Sequence, residues 1–403
     1  MNIMFSTPFN KAIKILETIE NHQHQAYFVG GCVRDYLLQR PIGDIDIATS
    51  AKPEALQEMF HSIIPVGIEH GTVIVRYDKE SYEVTTFRVD GTYTDQRHPD
   101  GVTYINNIDK DLERRDFTIN ALAMDINGNI IDLFNGQQDL TNGIIRTVGN
   151  GKERFKEDPL RIIRALRFSS QLGFTIDQVT IDHMVQVKKD IESLAIERIT
   201  NEFTKFFASK YVGHGLHYLF ETKIYKHLPV FKDHEQLIYK LPTTIEPLSS
   251  FGEVIAVFHL LDPSISVVNW VKSWKCSNKL KNEAQLIVHN IDRFKSEGLS
   301  RWLIYQLPTS LFTSFQRIIH LFYPEENITV EKMKRIKQLL PIQSRKELAI
   351  NGNDIIRFYP DYSKGPWMKL LLNEIEKQVV TGGVPNNYQA IKEWIKWNPP
   401  EIN

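Results

Sequence analysis

At 403 residues, 42% of them hydrophobic and 24% charged, the chain is ordinary globular material for two to four domains. A formal net charge of −1 argues against gripping polyanions by overall charge, and no run of about 18 apolar residues offers a membrane span. The two cysteines, Cys32 and Cys276, lie far apart, forming neither a disulfide framework nor a zinc site, which fits a reducing cytoplasm.

The first residues, MNIMFSTPFNKAIKIL, lack a basic stretch followed by an apolar core, so no secretion signal is expected. Apolar, β-rich runs then follow: AYFV (26–29), IDIAT (45–49), TVIVRY (72–77), YEVTTF (82–87) and VTYI (102–105). They alternate with the helical PEALQEMF (53–60) and with glycine turns. GTVIVRYDKESYEVTTFRVD (71–90) predicts a hairpin turning near Asp78 to Glu80. From about Asp158 strand candidates nearly vanish and helical periodicity takes over, as in PLRIIRALRFSSQL, IERITNEFTKFFAS and SVVNWVKSWKCS. The chain therefore reads as an α+β head followed by an all-helical remainder, with breaks near 229, 242–247 and 307. Two stretches are locally basic. Lys152–Arg167 holds six Lys/Arg against three Asp/Glu, and Lys332–Lys346 six against none, so any polyanion is held by patches such as these.

FVGGCVRDYLLQRPIGDIDIATS (28–50) carries the chemistry. Placed on a strand, Asp44 and Asp46 project to one face while Ile45 and Ile47 point to the other. Two adjacent carboxylates repel, and a hard cation between them relieves this; Mg²⁺ takes one or two carboxylates plus substrate phosphates. Alone, D-x-D is most simply the polar face of an edge strand. Gly30-Gly31, between a strand and a helix start, lets backbone N–H groups approach a phosphate, and Arg34 lies one turn further on. The combination resembles the nucleotidyltransferase superfamily. That resemblance implies a third carboxylate from a later strand, matched by Glu83, to help hold the metals and accept the proton of the attacking hydroxyl.

Three later stretches narrow the resemblance. LERRDFTINALA (112–123) reads locally as a charged loop with Asp116 capping a helix FTINALAM. EDPLRIIRALRF (157–168) reads as an Asp-Pro helix start, and its Arg161, Arg164 and Arg167 as a solvated basic face. ERITNEFTKFF (197–207) follows as a helix. With GGCVRD and DIDIA, over roughly residues 25 to 210, they closely resemble the bacterial and eukaryotic class of CCA-adding enzymes, the tRNA nucleotidyltransferases.

The resemblance implies a head at 1–142, a helical neck with the base-selecting site at 143–207, a helical body at 208–300 and a tRNA-binding helical tail at 301–403. It implies addition of C, C and A to a tRNA 3′ end from CTP and ATP, with Mg²⁺, without a nucleic-acid template, and it allows a homodimer. Asp158 then accepts from the exocyclic amine of cytosine or adenine, and Arg161 donates to the ring nitrogen beside it. Asp116 reads the ribose, Arg115, Arg164 and Arg167 complete the nucleotide site, and Glu157 orients Asp158 and Arg161. RVDGTYTDQRHPDGVTYI (88–105) matches the family's loop for the final A at Arg97, His98 and Pro99. KMKRIKQLLPIQSRK (332–346) is a candidate phosphate contact or an exposed helix face. In LAINGNDIIRFY (348–359), Gly352 is expected to end one segment and Asn353 or Asp354 to cap the next helix. The six tryptophans, all at or after 270, are expected in cores and subdomain contacts. The rivals are an A-adding tRNA nucleotidyltransferase, a bacterial poly(A) polymerase, which usually has a longer and more basic C-terminal region, and an inactive RNA-binding scaffold.

Overall fold

A computed structural model describes residues 7–91, 101–242 and 245–400. The chain divides into one unit of Met1–Pro247 with Ser273–Lys275, and a second of Leu248–Lys272 with Cys276–Asn403.

The first unit opens with α1 (Thr7–Asn21), which buries Phe9, Ala12, Leu16 and Ile19 at helical spacing. Phe9 meets Phe28 of β1 (Ala26–Val29) edge-on at 4.8 Å. Then come α2 (Gly31–Leu37), β2 (Asp46–Thr49), α3 (Pro53–Met59), β3 (Ile63–Ile64), β4 (Thr72–Tyr77) and β5 (Glu80–Thr86). The expected hairpin is β4–β5, and Asp78 and Lys79 at its turn both have positive φ, 48° and 65°, the primed geometry that suits strand twist. β6 (Arg88–Asp90) and β7 (Val102–Tyr104) pair only with each other; the predicted loop residues Arg97, His98 and Pro99 lie outside the described residues. After α4 (Ile108–Glu113), strands β8 (Leu122–Met124) and β9 (Ile130–Asp132) complete a seven-stranded mixed sheet in the order β3-β4-β5-β2-β1-β8-β9.

One local expectation fails here. FTINALAM is not a helix: Thr118–Asn120 forms a single 3₁₀ turn and Leu122–Met124 enters the sheet beside β1. All three strand residues are fully buried, and pairing with β1 overrides their helical propensity.

Helices follow: α5 (Gly136–Asn142), α6 (Gly151–Glu157), α7 (Leu160–Leu172), α8 (Gln178–Val187), α9 (Ile196–Phe207) and α10 (Val212–Thr222). A two-residue ladder, β10 (Ile144–Ile145) with β11 (Thr175–Ile176), is the last strand pairing. α7 buries Ile162, Ile163, Ala165 and Leu166 and packs on α9 and α10. Gly215 permits the close approach of α10, since a Cβ there would lie 1.9 Å from Ser170 Oγ.

The second unit is all helical, as expected: α11 (Phe251–Leu261), α12 (Val267–Ser273, whose last residue belongs to the first unit), α13 (Asn278–Glu297), α14 (Arg301–Gln306), α15 (Phe312–Phe322), α16 (Val330–Gln338), α17 (Gly352–Phe358), α18 (Pro366–Thr381) and α19 (Tyr388–Trp397). Gly352 starts α17 rather than ending a segment. Its cap is Asn351, whose side chain accepts from the Asn353 amide at 2.8 Å while Asp354 accepts from the Asn351 amide at 2.9 Å. Trp270, Trp274, Trp302 and Trp367 are buried as expected, but Trp397 is 83% exposed at the end of the last helix. The basic 332–346 stretch is divided: Lys337 donates to the Ile304 and Tyr305 carbonyls and Arg345 pairs with Glu376, while Lys332, Lys334 and Arg335 face solvent. No helix among the described residues is long and apolar enough to cross a membrane.

Candidate active site

The central strands β1, β2 and β5 and the start of α7 open onto a cleft of about 560 Å³ in the first unit. At its floor, the chain leaves β1 through Gly30, at φ 71° and ψ −127°, directly into α2. A side chain at Gly30 would reach to 2.9 Å from Arg115 Nη1, so the glycine is what lets that guanidinium lie over the turn. The Gly30 amide itself donates to Leu122 O at 3.2 Å, which leaves the first-turn amides of α2, from Gly31 onward, to meet an anion. Arg34 is buried, donating to Asn120 Oδ1 at 2.7 Å and to Asp35 at 2.9–3.0 Å. Cys32, beneath the turn, has its thiol pushed up to about 11 by burial and donates to Val29 O, which makes it a packing residue.

The carboxylates come from two strands. β2 runs parallel to β5, with Asp46 and Glu83 as register partners. Burial raises the Asp46 carboxyl to about 6, with the Glu83 and Asp44 charges adding to the rise and Arg115 opposing it. Asp44 corrects the expectation that it shares a strand face with Asp46. β2 pairs with both neighbours only from Asp46 onward, which meets Val29 of β1 and Glu83 of β5; Asp44 therefore lies ahead of the strand, exposed and outside the residues that line the cleft. Among the described residues no three Asp, Glu, His or Cys side chains converge on one point.

Above the carboxylates stands an arginine-rich wall. Asp116 is buried, accepting from Arg164 Nε at 2.7 Å and Nη2 at 2.6 Å and from Asn120 Nδ2 at 3.2 Å. Burial alone would raise its carboxyl, but the Arg164 charge, the Asn120 hydrogen bond and the Arg161 charge together outweigh that and hold it at about 2. Asp158 sits between α6 and α7, one oxygen capping the Leu160 amide at 3.1 Å and the other accepting from Arg198 Nη2 at 2.8 Å. Arg161 donates to Glu157 at 2.7 Å and to the carbonyls of Arg154 and Arg114, each at 3.1 Å. Arg167 pairs with Glu202 at 2.5 Å and stacks 4.0 Å from the centre of the Phe168 ring. The spacing-of-three arginines are thus not a solvated basic face: all three line the cleft, each with a carboxylate partner.

Every expected site residue except Asp44 lines this cleft, Glu157 supporting from behind. Residues overlooked in the sequence are Asn120, which joins Arg34 to Asp116, and Arg198 and Glu202, which hold Asp158 and Arg167. The signal for the last two was present, since Arg198 and Glu202 stand four apart on α9 and share a face.

Residues 26–146 match the family model for the poly A polymerase head domain, 173–235 that for "Probable RNA and SrmB-binding site of polymerase A", and 254–395 that for tRNA nucleotidyltransferase domain 2. Across 403 residues the chain is 49% identical to the CCA-adding enzyme of Oceanobacillus iheyensis, covering 99% of this chain and 100% of that one. It is 41% identical to the CCA-adding enzyme of Bacillus cytotoxicus over 397 residues, covering 96% and 98%. The solved structure of the Bacillus stearothermophilus CCA-adding enzyme in complex with CTP superposes with a TM-score of 0.88 at 35% identity, covering 98% of each chain. The Thermotoga maritima CCA-adding enzyme complexed with tRNA(CCA) shares the fold, at a TM-score of 0.64 and 22% identity over 98% and 96% of the two chains.

Proposed function

The chain belongs to the CCA-adding enzymes, and we propose that the cleft of its first unit is where CTP or ATP is chosen and joined to the tRNA end. It adds C, C and A to the 3′ end of tRNA, releasing pyrophosphate. The observation that carries the site assignment is the meeting of two sets of side chains in one cleft: Asp158 and Arg161, each held by a named partner, and Asp46 with Glu83.

Selection needs no template strand. One lone pair of Asp158 accepts from cytosine N4 or adenine N6, and a guanidinium N–H of Arg161 donates to the ring nitrogen beside it. Uracil and guanine present a carbonyl and a ring N–H at those places, leaving both protein groups unpaired at roughly 1–3 kcal/mol each. Asp116, ionised and fixed by Arg164, accepts from a ribose hydroxyl. Arg34, Arg115 and the first amides of α2 receive the triphosphate, with Arg164 and Arg167 completing the basic wall.

Dependence on a divalent metal comes with the nucleotidyltransferase family. We assign Mg²⁺ to Asp46 and Asp44. The raised Asp46 carboxyl marks negative charge that a cation would offset, and two carboxylates with substrate phosphates suffice for this ion. When bound, the metal neutralises phosphoryl charge and favours ionisation of the attacking hydroxyl. Glu83 accepts the proton of the tRNA 3′-hydroxyl. The division into head 1–142, neck 143–207, body 208–300 and tail 301–403, tRNA binding by the last two, a homodimer and cytoplasmic action are parts of the same proposal and rest on family resemblance.

The test is nucleotide extension of a tRNA lacking CCA, a tRNA ending in CC, and an unstructured RNA, each with Mg²⁺ and CTP, ATP or both. Two C residues from CTP and one further A from the mixture support the reading. Extension of the CC-ended tRNA alone means an A-adding enzyme, long A tails on the unstructured RNA a poly(A) polymerase, and no incorporation a scaffold.

A further inference from the structure

α4 ends just before the Arg114-Arg115-Asp116 triplet, and its Asp111 has no exposed surface. None of the chemistry above uses it. One Asp111 oxygen accepts from Arg114 Nε at 3.0 Å and Nη2 at 2.9 Å, and from the Arg88 amide at 3.4 Å. The other accepts from Arg115 Nη2 at 3.3 Å. Both arginines line the cleft.

Each carries the contact onward in a different direction. Arg115 Nη1 donates to Asn120 O at 3.4 Å and lies where Gly30 has no side chain, while its Nε–H is buried without a hydrogen-bond partner. That buried donor leaves Arg115 with hydrogen-bonding capacity that no protein group uses, so its place beside the Gly30 turn is set by the Asp111 and Asn120 contacts rather than by its own burial. Arg114 uses its carbonyl instead, which accepts from Arg161 Nη2 at 3.1 Å, and its guanidinium also stands 3.8 Å from Asp90 on β6. The carboxylate pays the cost of complete burial because two guanidinium charges meet it, and its carboxyl stays below the usual aspartate range.

We propose that Asp111 is a positioning residue of the nucleotide site, one buried carboxylate that fixes Arg115 for the triphosphate and, through the Arg114 carbonyl, Arg161 for the base. This rests on the assignment of the nucleotide site made above. A carboxylate that only braced α4 against β6 would affect stability alone. One that positions both arginines affects two kinetic quantities at once.

The experiment compares wild type, Asp111→Asn, Arg115→Gln and the double variant on a tRNA lacking CCA. It reads KM for CTP, the C-to-U incorporation ratio in competition, and the melting temperature. Loss of charge-assisted hydrogen bonds predicts that Asp111→Asn raises KM about tenfold or more and lowers the C-to-U ratio by about tenfold. Arg115→Gln raises KM and leaves the ratio near wild type, and the double variant raises KM less than about twofold beyond Arg115→Gln, because the two changes remove one interaction. A lowered melting temperature with KM and ratio unchanged would overturn the proposal. If Arg115→Gln itself leaves KM unchanged, the nucleotide-site assignment falls first, and this proposal with it. Should Asp111→Asn not fold, Arg114→Gln, at a side chain one-fifth exposed, carries the test: a reduced C-to-U ratio is expected, and an unchanged ratio overturns the link to Arg161.

Discussion

Asp46→Asn is expected to stabilise the metal-free protein while abolishing its activity. The Asp46 carboxyl titrates at about 6, against 3.8 for an unperturbed aspartate. Each pKa unit is worth about 1.4 kcal/mol, so a gap of about two units sets an upper bound near 3 kcal/mol on what the ionised group costs the fold. Asp46 is only half-buried, and solvent screening reduces the realised gain to about 1–2 kcal/mol. The sign follows from the proton being held more tightly in the folded chain. The contribution of Asp46 is fully present below 3.8 and is lost as pH rises through about 6. Thermal melts with a chelator at pH 8 should therefore show the variant a few degrees above wild type. Near pH 3.5 the difference should shrink towards zero. Added Mg²⁺ should raise the wild-type transition and move the variant little, and nucleotide addition should fall by roughly 10³ or more. A variant no more stable than wild type at pH 8, or equally more stable at both pH values, would refute the claim that unrelieved carboxylate charge is concentrated at this strand end.

Three further outcomes are expected. Gly30→Ala forces a side chain onto a residue at φ 71° and against Arg115 Nη1, so it should cost roughly 1–3 kcal/mol in melting experiments and raise KM for CTP and ATP alike. Asp116→Asn strips Arg164, whose side chain is one-third exposed in the cleft, of its charge partner and should destabilise the first unit by about 1–2 kcal/mol. Because the Asp116 carboxyl is held at about 2, its stabilisation is present above 3.8 and lost only as pH falls through about 2; the penalty should be flat from pH 5 to 8, and ribonucleotide-over-deoxynucleotide preference should drop about tenfold. Arg198→Ala frees one oxygen of Asp158 and should lower C-over-U selection about tenfold while leaving KM for the correct nucleotide within a few-fold, measured by competition between CTP and UTP.

What was legible in the sequence depended on the range of the interaction involved. The hairpin over 71–90 was readable because alternation and a polar turn near Asp78 to Glu80 are local, and the strands and helices that carry or flank Gly30, Asp46, Glu83 and Asp158 fell where pattern placed them. β8 was not, because Leu122–Met124 is too short to show strand alternation; one neighbour, β9, is local, but the other, β1, lies about a hundred residues earlier. The placing of Asp44 on the strand failed for a related reason. Period-two alternation continues through Asp44 in the sequence, but strand geometry continues only while neighbours pair with it, and neither β1 nor β5 pairs with β2 ahead of Asp46. Trp397 was misplaced because tryptophan is usually buried, and at a helix end nothing covers it. Asn120 and Arg198 hold side chains from distant parts of the chain, Arg34 and Asp158, and a single sequence carries no mark of which distant group a polar side chain will meet.

The same pairing answers how a chain of net charge −1 binds a triphosphate and an RNA end. Eight arginines and four carboxylates line the cleft, so the positive excess is local. Few of these arginines are left to solvent: Arg161 is held by Glu157, Arg164 by Asp116, Arg167 by Glu202, Arg198 by Asp158, and Arg114 and Arg115 by Asp111. Such pairing cancels the far field, which keeps the chain near neutral and weak on nonspecific polyanions. It leaves the near field intact, because a guanidinium has five N–H donors and a carboxylate occupies only one or two. The donors left over point in directions fixed by the protein, and rigid direction is what base selection requires when no template strand supplies it. Neutralising partners such as Glu157, Glu202 and Asp111 should then matter more for fidelity than for affinity to RNA, the reverse of what a loosely basic groove would show.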